Sequence, residues 1–155
     1  MATAGSFTQY DNFTLGLGEA KFNLSSDTFV MTLVSSSYAP NVATDSTWAN
    51  VSADELPTGG GYTAGGVIIP SETLSLASHV VTWTGGAVSW ANFTATASYG
   101  VVVRRAGSTL ASTDLLVAYV ALNVVSGSPA PLVGQGGTLT ITPSASGIIQ
   151  FSHTP

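Results

Sequence analysis

Residues 89–103 read Ser89-Trp90-Ala91-Asn92-Phe93-Thr94-Ala95-Thr96-Ala97-Ser98-Tyr99-Gly100-Val101-Val102-Val103. One parity carries Ala91, Phe93, Ala95, Ala97, Tyr99, Val101 and Val103; the other carries Trp90, Asn92, Thr94, Thr96 and Ser98. A period of two is the pleat of a β-strand with one row turned toward a core. The spacing predicts a long half-buried strand that bends or changes partner near Gly100. Downstream, residues 115–122 (LLVAYVAL) are apolar on both parities, which predicts a central strand covered on both faces. Upstream, residues 28–35 (TFVMTLVS) place Phe29, Met31 and Leu33 on one face. Shorter candidates follow at 67–69, at 71–83 with patchy alternation, at 138–142 with strict alternation, and at 148–152. Turns rich in Gly, Pro and Ser separate them, and no long amphipathic helix intervenes. The pattern predicts an all-β fold: a single-domain antiparallel β-sandwich, jelly-roll-like or immunoglobulin-like, with at most one short helix. That helix falls within residues 13–24, weakened by Gly16 and Gly18. Residues 1–12 read as an N-terminal arm, and 13–155 as the domain.

Charge is scarce. Asp, Glu, Lys and Arg make up 7% of the chain, against about 25% in an ordinary soluble domain. The cations are Lys21, Arg104 and Arg105, too few for the basic footprint that binding nucleic acid requires. Hydrophobic residues reach 45%. A lone domain normally covers itself with mixed charge. Here two substitutes are expected: Ser and Thr, about a quarter of the residues, and burial against other subunits. Cysteine is absent, which removes disulfides and thiolate metal sites. The opening Met1-Ala2-Thr3-Ala4-Gly5 lacks the basic and apolar regions of a signal peptide. The longest apolar run is eight residues, far below the roughly 18 needed to span a bilayer.

Chemistry-bearing patterns are weak. His79 and His153 have no metal-ligand spacing. The acids Asp11, Glu19, Asp27, Asp45, Asp54, Glu55, Glu72 and Asp114 all fall in turn-like stretches. Asp54-Glu55 is the one adjacent pair and the one place for a loop calcium ion. Ser52-Ala53-Asp54-Glu55 fits a capping box, but Pro57 limits it to one helical turn. Gly59-Gly60-Gly61-Tyr62-Thr63-Ala64-Gly65-Gly66 follows no strand and carries no Lys, so it reads as a turn and not a phosphate loop. No G-x-S-x-G elbow occurs. Four glycosylation sequons, at Asn12, Asn23, Asn50 and Asn92, are expected by chance in so Ser/Thr-rich a chain. No enzyme, no cofactor and no metal is expected. Trp48, Trp83 and Trp90 leave one further class open, a carbohydrate-binding module, provided they lie exposed and coplanar.

Several motifs in a shared order resemble a family of small tailed-phage structural proteins encoded among head genes. They are Leu17-Gly18-Glu19-Ala20-Lys21-Phe22-Asn23-Leu24 with Asp27-Thr28-Phe29; Tyr38-Ala39-Pro40 with Trp48-Ala49-Asn50-Val51; and Gly61-Tyr62-Thr63-Ala64-Gly65-Gly66. Val88-Ser89-Trp90-Ala91, Tyr99-Gly100-Val101-Val102-Val103, Leu115-Leu116-Val117-Ala118-Tyr119, Gly136-Gly137-Thr138-Leu139-Thr140-Ile141 and Ile148-Ile149-Gln150-Phe151 continue the series. The chain departs from the family at Val30, where Lys is usual, and at Val88-Ser89-Trp90, where the family is more acidic. The resemblance spans about residues 15–152. It implies a virion protein: a capsid decoration (cement) protein on the outer face of the head shell, partnered with the major capsid protein, or else a tail or head-fibre component. It transfers no catalytic residue. On that reading a homo-oligomer, as a trimer, is expected, since shells offer many three-fold sites. The candidate contacts are Met1, Phe7 and Tyr10 in the arm, which is expected to lie on a neighbouring subunit, and Val124, Val125, Pro129, Pro131, Leu132 and Val133 in an apolar loop.

Overall fold

The computed structural model describes residues 5–152. It is mostly β, 43% strand and 9% helical, with antiparallel sheets and one α-helix, as the alternation predicts. In chain order the elements are β1 (Thr8–Gln9), α1 (Asp11–Gly18), β2 (Thr28–Val34), two 3-10 turns (Trp48–Asn50 and Ser52–Asp54), β3 (Val67–Ile68), β4 (Thr73–Ala77) and β5 (Val80–Thr84). Then come β6 (Val88–Phe93), β7 (Thr96–Ala97), β8 (Tyr99–Arg105), β9 (Leu115–Ala121), β10 (Val124–Val125), β11 (Ser128–Pro129), β12 (Leu132–Val133), β13 (Gly137–Ile141) and β14 (Ile149–Ser152). A five-stranded sheet in the order β1-β9-β8-β2-β3 forms the centre. A three-stranded sheet, β14-β5-β4, and the pairs β13-β6, β12-β7 and β10-β11 surround it.

The three middle strands of the central sheet, β9, β8 and β2, are covered on both faces, which is why they lack alternation in burial. Phe29, Met31 and Leu33 of β2 share the larger core with Trp83, Val88, Trp90, Phe93, Ile141 and Ile149 of the outer strands and Phe13 of α1. Val30 and Val34 of β2, Val101 and Val103 of β8 and Leu116 of β9 share a second core with Tyr10, Tyr38, Trp48 and Val51. The first core is thus sheet on sheet, and the second is sheet under loop. Thr32 sits buried in β2 and donates its hydroxyl to the Val101 carbonyl at 3.2 Å. The predicted central strand is β9, and the predicted Phe29/Met31/Leu33 face is the core face.

Three expectations need correction. Residues 89–103 do not form one strand but three, β6, β7 and β8. The parity also fails at the start: Val88 and Trp90 point inward with Phe93, while Ala91 and Asn92 are exposed. The cause is a β-bulge. Gly137 pairs with Phe93 and Leu139 with Trp90, so two residues oppose one, and Asn92 takes φ +53°. The Gly-rich loop docks on this bulge. Gly60 accepts the Thr94 amide at 2.9 Å, and a Cβ on Gly61 would fall 2.5 Å from the Ala91 carbonyl oxygen. Second, residues 71–83 are not a single run. They form the β4–β5 hairpin, turned at Ser78 and His79, both with positive φ.

Third, the described part of the arm, residues 5–12, packs on the domain. The Gly5 amide donates to Ala121 at 2.9 Å, Thr8 and Gln9 pair with Tyr119 and Ala118, and the Tyr10 amide donates to Val117 at 3.1 Å. Asp11 and Asn12 already open α1. Tyr10 is fully buried, and Phe7 packs on the larger core. Two aromatics at a spacing of three dock this segment, so residues 5–12 have an intramolecular seat on β9 and α1. Met1 lies outside the described residues. No helix among the described residues is long and apolar enough to cross a membrane.

Candidate interaction surface

The apolar segment expected as a contact is an ordered surface feature. β10 and β11 form a two-residue hairpin turned at Ser126 and Gly127, both with positive φ. Ala130 donates to the Asn123 carbonyl at 2.8 Å, which closes the base. β12 then pairs with β7, placing Leu132 opposite Ala97. Leu132 packs on the larger core and Val124 is half-buried. Val125, Pro129, Pro131 and Val133 are exposed, the two valines at 56% and 58%. Beside them, Phe93, Leu132, Val133 and Leu139 line an apolar groove of about 260 Å³. Of the predicted contacts, this group is at the surface, whereas Tyr10 is buried and Phe7 is half-buried against the larger core.

The acids serve their own loops. Asp114 is buried and accepts the amides of Ala106 at 3.0 Å and Ala111 at 2.8 Å. Asp27 accepts the Asn23 amide at 2.8 Å and pairs with Arg104 at 2.9 Å. Asp45 takes the Asn41 amide and the Tyr38 hydroxyl. Glu55 accepts the Tyr62 hydroxyl at 2.7 Å and the Gly65 amide at 2.6 Å. Its neighbour Asp54 lies in the second 3-10 turn, the single turn the capping-box reading allowed. The capping box that forms is one turn earlier, between Thr47 and Asn50. No group of three His, Asp or Glu able to hold a metal occurs among the described residues.

Tyr62 is a residue that sequence reasoning passed over. It is buried, and its hydroxyl both accepts the Leu33 amide at 3.2 Å and donates to Glu55. Burial pushes its pKa up, and the bond to the Glu55 carboxylate adds to the effect. The hydroxyls of Tyr10 and Tyr38 meet at 2.7 Å, and burial raises both. Glu72 is the one carboxyl pushed far: burial carries it up to about 7, the Phe29 amide opposes this, and Asp27 adds to it.

Lys21 pairs with Glu19 at 2.6 Å, and Arg104 with Asp27. Arg105 instead lines a polar cleft of about 320 Å³ with Trp48, Glu55, Ser108 and Thr109. Trp48, Trp83 and Trp90 are 5%, 0% and 3% exposed, so they form no exposed coplanar platform and the carbohydrate-module reading fails on them. Trp83 spends its indole N–H on the Leu24 carbonyl at 3.2 Å. Comparison with protein families, with curated proteins and with solved structures finds no match.

Proposed function

We propose that this chain is a non-catalytic capsid decoration (cement) protein of a tailed bacteriophage, bound to the major capsid protein on the outside of the head and assembled as a homotrimer. The observation that carries the reading furthest is the exposed apolar group Val125, Pro129, Pro131 and Val133 on a molecule with 7% charged residues. The ordered motifs from about residue 15 to residue 152 point the same way. The carboxylates support it too, since Asp27, Asp45, Glu55 and Asp114 brace backbone turns and so stiffen the loops around the sheets.

The mechanism is burial. Each of these valines contributes roughly 1 kcal/mol when its exposed part is covered, and a shell multiplies that by many copies. The hydroxyl-rich surface keeps the subunit wet with little charge. Purified protein mixed with emptied heads of the encoding phage is expected to saturate a regular set of sites and raise the temperature at which the heads rupture. Val125→Asp with Val133→Asp is expected to weaken attachment at least tenfold, a loss of about 1.4 kcal/mol. Co-sedimentation with purified tails and none with heads would overturn the assignment. Light scattering tests the trimer: a monomer of 15.7 kDa at micromolar concentration refutes it.

A further inference from the structure

β4 is an edge strand with nothing over it. It pairs only with β5, and all five of its residues are exposed, Leu74 at 46% and Leu76 at 70%. The two-residue turn at Ser78-His79 sets which backbone groups are free. Ala77 pairs with Val80, Ser75 with Thr82 and Thr73 with Thr84. In such a hairpin the pair flanking the turn is hydrogen-bonded, and alternate pairs follow it. The N–H and C=O of Leu74 and Leu76 therefore point away from β5. Proteins usually guard an edge of this kind with Lys, Pro or a bulge. Residues 73–103 contain no Asp, Glu, Lys or Arg, β4 has no proline, and its register is unbroken.

The side chains add direction. Leu74 lies opposite Trp83 and Leu76 opposite Val81; across β5, Trp83 and Val81 lie opposite Ile149 and Phe151. One face of this small sheet thus begins in the larger core, with Trp83 and Ile149 buried, and runs outward to two uncovered leucines.

We propose that β4 is a self-association edge: two copies pair their β4 strands antiparallel about a two-fold axis through Ser75. Leu74 then faces Leu76 of the second copy, and Leu76 faces its Leu74. Each of these pairs exchanges two backbone hydrogen bonds. Four leucines form one cluster, and the two three-stranded sheets become one continuous sheet. The occupant is a second copy because the strand is self-complementary about Ser75. In a chain of net charge −5, it is also a stretch that brings no like charges together. The contact is small, below the roughly 1,200 Å² of standard interfaces, so it forms at high local concentration. It requires neither the trimer nor the phage reading, and it adds a two-fold link to whatever the starting assembly is.

The test is a mass measurement from about 10 µM to 1 mM, paired with amide exchange by NMR. Expected are a concentration-dependent doubling of mass and slowed exchange at the Leu74 and Leu76 amides. Leu74→Lys with Leu76→Lys abolishes both, and Leu76→Pro, which removes an outward N–H only, does the same. Val125→Lys leaves them intact. A mass that stays constant over the whole range overturns the proposal, as does doubling that survives the double lysine variant or leaves both amides in fast exchange. Because the exposed group at Val125 and Val133 is untouched in the β4 variants, loss of head attachment and loss of doubling are separately readable.

Discussion

The Tyr62 hydroxyl ties the loop 55–66 to the central sheet, beside the Leu56 amide, which donates to the Leu33 carbonyl at 3.0 Å. Tyr62 accepts from Leu33 of β2 and donates to Glu55, which in turn takes the Gly65 amide. Tyr62→Phe leaves the ring packed but orphans a buried amide, at a cost of about 1–3 kcal/mol. Chemical denaturation is expected to show that loss with an unchanged denaturant slope. Glu72 makes stability depend on pH. Its folded pKa, about 7, lies above the ordinary carboxyl value of 4.5. Between those limits the folded state holds the proton more tightly than the unfolded chain. Its favourable contribution is complete below about 4.5 and lost as pH rises through about 7. Melting temperatures at pH 5 and pH 8 are expected to differ less in Glu72→Gln than in the parent. An undiminished difference in the variant would refute the role.

α1 shows a mismatch between residue and position. The helix closes in a Schellman arrangement: Lys21 donates to Gly16 at 2.8 Å and Ala20 to Leu17 at 3.2 Å. The left-handed residue this needs is Ala20, at φ +57°, where glycine is favoured. Gly18, by contrast, is helical, and a Cβ there meets nothing within 4 Å. Exchanging the two, Gly18→Ala with Ala20→Gly, is expected to stabilise the protein by roughly 1–2 kcal/mol. Gly16→Ala is expected to destabilise it, because its Cβ would fall 2.6 Å from the Phe22 ring; thermal melts of both variants check the opposite signs. The same kind of position explains what the sequence concealed. β9 was legible because apolar residues on both parities mark a strand covered on both sides, and the core face of β2 because parity sets Phe29, Met31 and Leu33 on one side. The Ser78-His79 turn was not, since neither residue is the Gly or Asn that advertises positive φ. The phase of residues 89–93 was misread because a bulge belongs to two strands, and residue 138 on the partner strand carries no mark of it. At the surface, the apolar segment 124–133 was legible by composition. The seats of Phe7 and Tyr10 were not, because they depend on β9, more than a hundred residues away.

For the whole molecule, scarcity of charge sets the expected behaviour in salt. On the proposed reading, attachment to the head by apolar burial is expected to persist near 1 M NaCl, where the screening length is about 3 Å; sedimentation of heads at low and high salt checks it. Release by salt would instead assign the contact to the few ions present. The central sheet also sets the order in which the chain can be built. β2 is bonded along its length to β8, and Asp27 reaches Arg104 across 77 residues. β1 waits for β9, which ends at Ala121. A ribosome therefore releases most of the polypeptide before the first strands find their neighbours, while β4 and β5 lie within a dozen residues of each other. Such topologies mature in milliseconds to seconds. During that interval, in a cell making many copies at once, the first strands able to pair include the molecule's least guarded edge.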